Sequence, residues 1–85
     1  MIRKLVQKDK KNWTKLYNGY ADFYKVPMNT EVLDTLWGWI HDEGHDVNGL
    51  CCELEDKIVA IAHYRTMPRP IKGQYIGFLD DLFVG

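Results

Sequence analysis

Two apolar stripes at helical spacing, followed by three strand-like runs, set the fold class of this 85-residue chain. Behind Asp9, which is placed to cap a helix, Trp13, Leu16, Tyr17, Tyr20, Phe23 and Tyr24 form one apolar-aromatic face. "KVPMN" ends this segment, because Pro27 cannot continue a helix, and Asn29 or Thr30 can cap the next one. The second stripe is Val32, Leu33, Leu36, Trp37 and Ile40, with Gly44 in "HDEGHD" as a natural stop. Val47 to Glu53 then reads as a strand that places Leu50, Cys52 and Leu54 on one face. "EDK" (Glu55 to Lys57) is a tight turn, and Lys57 to Met67 is dense in β-branched and aromatic residues, which predicts a hairpin. "PRPIKG" (Pro68 to Gly73) reads as a loop, and the last strand runs from about Gln74 to Val84.

With a short β-compatible opening at Ile2 to Gln7, the order is β-α-α-β-β-β. That order predicts an α+β fold: one mostly antiparallel sheet with both helices packed on it. The helices cover one sheet face, nothing obvious covers the other, and the last strand is too apolar for a free edge in water. A domain this small is marginal by itself, so a homo-oligomer joined through the last strand or the bare face is expected.

Charge excludes some functions. The chain carries 11 basic and 12 acidic side chains and a formal net charge of −1. That argues against general nucleic-acid binding and against attachment to an anionic membrane surface. No apolar run approaches the roughly 18 residues of a membrane-spanning helix. The start "MIRKLVQKDKK" lacks the apolar core of a secretory signal, so the chain reads as cytoplasmic. Cys51 and Cys52 are adjacent and point to opposite faces of a strand, which favours two free thiols over a mutual disulfide. His41 and His45 stand four apart, but a helix ending at Gly44 and the lack of a third ligand leave no metal site. His63, in mid-strand among apolar residues, reads as a hydrogen-bonded sheet residue.

The element order, ending in "FLDDLFV", resembles the N-terminal half of the GCN5-related N-acetyltransferase (GNAT) superfamily. Phe78 to Val84 match the family's fourth strand, with Asp80 where a Glu is usual. The Ile2-Arg3 start, the Trp13, Leu16, Tyr20, Phe23, Tyr24 spacing and "GLCCELEDKIVAIAHYR" fit its first strand, first helix and central hairpin. The resemblance implies the N-terminal half of the acyl-CoA N-acyltransferase fold and an acetyl-CoA-dependent transfer to a primary amine. It places the general base on Asp80. Asp81 is the second catalytic candidate behind it, since alternation along the strand turns Asp81 to the other side and favours a structural role. It places the acceptor amine near Tyr24, Glu31 and Trp39, and the cofactor along the backbone of Leu82, Phe83 and Val84. The family's pyrophosphate-binding loop, a glycine-rich turn entering a helix, has no counterpart in these 85 residues. A truncated domain that is silent in catalysis and holds no cofactor by itself is therefore expected. The alternative is a dimeric small-ligand or structural module built on the same half-fold.

Overall fold

A computed structural model describes residues 1–85. Its elements are β1 (Ile2–Lys4), α1 (Lys10–Phe23), α2 (Thr30–Ile40), β2 (Val47–Leu54), β3 (Lys57–Arg69) and β4 (Gln74–Val84). The four strands form one sheet in the order β1-β2-β3-β4, and every neighbouring pair is antiparallel. The predicted α+β order and architecture are those observed. No helix is long and apolar enough to cross a membrane.

Both helices lie on one face of the sheet. Leu5, Trp13, Leu33, Trp37, Cys51 and Ile61 form the buried core between them, with Leu16, Tyr17, Leu36, Ile40 and Phe83 packed around it. Gly49 allows α2 to come this close to β2, since a side chain there would place its Cβ 2.8 Å from Leu5 and 3.1 Å from Ile40. Cys51 faces this core and Cys52 the opposite face; both are free thiols, and burial pushes Cys51 up. Leu50 and Cys52 do share a face, but it is the one away from the helices. There they line a shallow apolar dimple with Ile2, Ala60, Ala62 and Leu82.

Local chemistry departs from the sequence reading at several ends. β1 stops at Lys4, and Gln7–Asp9 form a 3-10 turn. Asp9 does not cap α1 with its side chain. Its carboxylate accepts the Val6 N–H at 2.9 Å and both terminal nitrogens of Arg3 at 2.7 and 3.0 Å. Arg3 holds Asp9 well below the usual carboxylate range and also pairs with Glu53 at 2.6 Å, so one guanidinium joins β1, β2 and the entry to α1. α1 ends not at Pro27 but on Lys25, whose φ of 56° is left-handed. The Val26 N–H reaches Ala21 O at 2.8 Å and the Lys25 N–H reaches Asp22 O at 3.1 Å, the paired bonds of a Schellman stop. Of the two candidate caps, Asn29 and Thr30, it is Asn29 that caps α2, its side-chain oxygen accepting the Val32 N–H at 2.9 Å. α2 ends at Ile40, before Gly44, which instead donates its N–H to the Asp42 carboxylate at 2.9 Å.

The β2–β3 turn places both Glu55 and Asp56 at positive φ, 50° and 65°, the geometry of a two-residue hairpin with the right twist. "PRPIKG" is shorter as a loop than expected. β3 runs on to Arg69, and only Pro70–Lys72 and Gly73, at φ 59°, make the connection. Pro68 is tolerated within β3 because β2 pairs only as far as Arg65, which leaves that side of β3 without a partner.

Candidate functional site

β4 forms the site because its pairing with β3 is interrupted. His63 lies opposite Asp81 and Tyr64 opposite Leu79, so Asp80 is an extra residue in β4, a β-bulge. Strict alternation would send Asp80 and Asp81 to opposite faces. The bulge instead sets Asp81 against His63 and Asp80 against Arg65, two β3 residues that share the helix-covered face. The expectation that Asp81 points to the face opposite Asp80 is thus corrected.

The two carboxylates have different surroundings. Asp80 is partly exposed, and both of its oxygens are taken by Arg65, whose Nε and Nη2 donate at 2.8 Å each. The same guanidinium lies over the Phe78 ring at 5.4 Å. Asp81 sits under α1. Its Oδ2 lies 2.9 Å from His63 Nδ1 and accepts the Tyr17 hydroxyl at 3.2 Å. Asp81 and Phe83 are the two residues of β4 that are more than marginally covered.

The charge state follows from the partners. The Trp13 indole N–H, fully buried, donates to His63 Nε2 at 2.9 Å. An indole N–H can only donate, so Nε2 carries a lone pair and the imidazole proton sits on Nδ1. His63, 2% exposed, is therefore a neutral donor to the Asp81 carboxylate. Burial works to raise the Asp81 carboxyl. The hydrogen bond from His63, the approach of the Tyr20 hydroxyl and the bond from Tyr17 outweigh it and hold Asp81 below the usual carboxylate range. In turn the Asp81 carboxylate, with some burial, pushes Tyr20 up to about 12. Burial first and Asp81 second hold Tyr17 well above its ordinary value. The result is a carboxylate kept ionised in a partly dry place by neutral donors.

Tyr17 has a second role. Its ring stacks between Trp13 and Tyr20, at centroid distances of 5.6 and 5.5 Å. It also lines an open groove of about 420 Å³ with Glu31, Val32, Thr35, Leu36 and Trp39 of α2. The structure brings Glu31 and Trp39 together there, with Trp39 also stacked on His45 at 4.7 Å. Tyr24 lies outside the groove, exposed at the end of α1 against Tyr20. Leu82 faces the apolar dimple on the other side of the sheet, Phe83 packs on the core, and Val84 is exposed. Along these three residues one backbone edge pairs with Ala60, Ile61 and Ala62, and the other edge of β4 has no partner. The chain has no cluster of three or more ligating side chains suited to a metal ion.

Sequence reasoning placed Tyr17 and Trp13 in the core and did not join His63 to Asp81. Those links depend on the bulge, and an aspartate pair within an apolar strand carries no sign of which acid turns inward.

This architecture, two helices on one face of an antiparallel β1-β2-β3-β4 sheet, is that of the N-terminal half of the GNAT acetyltransferase fold. A ribosomal-protein-alanine N-acetyltransferase from Brucella melitensis biovar Abortus 2308 superposes with a TM-score of 0.77 at 20% identity, over 99% of this chain and 55% of that one. A GNAT family acetyltransferase from Staphylococcus aureus gives 0.73 at 18% identity, over 99% of this chain and 61% of that one. The chain thus spans little more than half the length of these two structures. No family model and no curated protein sequence matches it.

Proposed function

We propose that residues 1–85 form the acceptor-binding side of an acetyl-CoA-dependent N-acetyltransferase acting on a primary amine. The observation that supports this reading is the groove in which Tyr17, hydrogen-bonded to the ionised Asp81, stands across from Glu31 and Trp39. Such a groove suits a protonated amine: Glu31 supplies an opposite charge, and Trp39 an aromatic face for a cation. The amine must lose a proton before it can attack a thioester, and a carboxylate is the usual acceptor. Of the two candidates Asp81 fits that task better than Asp80, because both Asp80 oxygens are already engaged by Arg65.

Acetyl-CoA supplies the acetyl thioester when bound. The unpartnered edge of β4 at Leu82, Phe83 and Val84 offers backbone N–H and C=O groups that fit the amides of its extended arm. No glycine-rich loop entering a helix is present to fit its pyrophosphate. We therefore expect these residues to bind the amine and not to turn it over. The formal net charge of −1 fits a small-molecule role without nucleic acid or an anionic membrane surface, and we read the chain as cytoplasmic. A second reading, a self-associating module, is favoured by the open edge of β4, where Tyr75, Phe78, Leu79, Leu82 and Val84 are all exposed.

Titrating the isotope-labelled chain with n-butylamine at neutral pH tests the acceptor site. The Trp39 indole signal and the Glu31 amide should shift together and saturate, and Glu31→Gln should weaken the binding. Saturable shifts elsewhere, or none at all, would remove the groove from the function.

A further inference from the structure

We propose that the hydroxyl of Tyr17, and neither aspartate, is the group that meets the acceptor ammonium, and that Asp81 acts on the amine only through it. This rests on the amine-groove reading above. The residues lining the groove are Tyr17, Glu31, Val32, Thr35, Leu36 and Trp39; Asp80 and Asp81 are not among them. Asp81 lies behind Tyr17, its Oδ2 accepting the phenol proton at 3.2 Å. A phenol both donates and accepts. With its proton directed inward to Asp81, the Tyr17 oxygen keeps lone pairs free for an N–H donor. A bound primary ammonium is such a donor.

The support behind Tyr17 is directional at each step. The Trp13 N–H requires a lone pair on His63 Nε2 at 2.9 Å, which puts the imidazole proton on Nδ1. That proton points at Asp81 Oδ2, 2.9 Å away, and keeps the carboxylate oriented with Oδ2 toward Tyr17. Trp13, His63 and Asp81 are thus positioning residues, and Tyr17 alone touches the amine.

The proton transfer balances with water as the final acceptor. As the N–H bond of the ammonium breaks, its proton goes to the Tyr17 oxygen, and the electron pair stays on nitrogen as the nucleophile. The original Tyr17 proton moves to Asp81 Oδ2. The ammonium becomes a neutral amine, tyrosine is regenerated, and Asp81, which its donors hold ionised at rest, becomes a transient neutral acid that passes its proton on to water. Burial and the Asp81 charge oppose a free tyrosinate, so the two transfers are concerted.

Two probes isolate the Tyr17 contact in the 85-residue chain. The n-butylammonium ion carries N–H donors, and N,N,N-trimethylbutylammonium carries the same charge without them. Tyr17→Phe keeps the ring that stacks on Trp13 and Tyr20. It should weaken n-butylammonium binding about tenfold, the loss of one hydrogen bond to a charged group, and leave the trimethyl ion unchanged. In the Tyr17→Phe background, Asp81→Asn should not alter the ratio of the two affinities any further. Equal weakening of both ions, or of neither, overturns the proposal while leaving the groove as an amine site. A wild-type chain that binds neither ion overturns the groove reading and this inference with it.

Discussion

Replacing His63 by Leu breaks the buried chain of hydrogen bonds at its centre. The change removes the acceptor of the Trp13 N–H and the donor to Asp81, each at 2.9 Å. Trp13 is fully buried, so its N–H has no water to turn to, at a cost of about 1–3 kcal/mol. Asp81 loses a bond to a charged acceptor, about 1.5–3 kcal/mol if fully buried, but its side chain is 20% exposed and keeps Tyr17, so the lower end applies. The extra apolar surface of Leu returns about 1 kcal/mol. The net loss is about 1.5–3.5 kcal/mol, a large part of the roughly 4–13 kcal/mol expected for a domain of this size. The melting temperature should fall by about 6–28 °C. Urea unfolding followed by far-UV circular dichroism at neutral pH measures the loss directly. His63→Gln should recover at least half of it, because the amide oxygen can accept from Trp13 and the amide nitrogen can donate to Asp81. A Leu variant within about 0.5 kcal/mol of wild type, the range of an ordinary surface change, would show that the Trp13–His63–Asp81 chain holds nothing together.

Four further outcomes follow from the same structure. The Asp81 carboxyl lies below its unfolded value of about 3.9, so its contribution is present above that pH and lost as the pH falls through the folded value; in acid titrations the stability gap between wild type and Asp81→Asn should be constant near neutrality and narrow below about pH 4. Lys25 closes α1 at a φ of 56°, where glycine is unstrained; Lys25→Gly should raise stability by about 0.5–1 kcal/mol in chemical denaturation, and a loss instead would mean that the left-handed stop is absent in solution. The unpaired edge of β4 and the exposed Tyr75, Phe78, Leu79 and Leu82 should draw two copies together; sedimentation equilibrium at micromolar concentration should give a mass above 10 kDa, and a clean monomer would refute the pairing. Residues 1–85 should release no thiol from acetyl-CoA in the presence of n-butylamine, and steady turnover would show that the pyrophosphate is held by groups other than a glycine-rich loop.

The sequence by itself determined the element order and the architecture. Helical spacing in the Trp13–Tyr24 and Val32–Ile40 stripes, and the β-branched runs after Val47, are one-dimensional signals, because each reports which side of a single element must leave water. Asn29 as a cap and "EDK" as a turn were legible for the same reason: the chemistry is complete within three or four residues. The resemblance carried by "FLDDLFV" was legible too, and the superposed folds agree with it. What only the tertiary structure decided is which acid turns inward. The Asp80 bulge is set by how β4 pairs with β3, eighteen residues back at His63, and a slip of one residue exchanges the surroundings of Asp80 and Asp81. The tautomer of His63 depends on a tryptophan fifty residues away. Tyr17 joins the carboxylate to the groove only because α1 crosses β4 while α2 presents Glu31 and Trp39 alongside. Such links are long in sequence and short in space, and no local pattern encodes them.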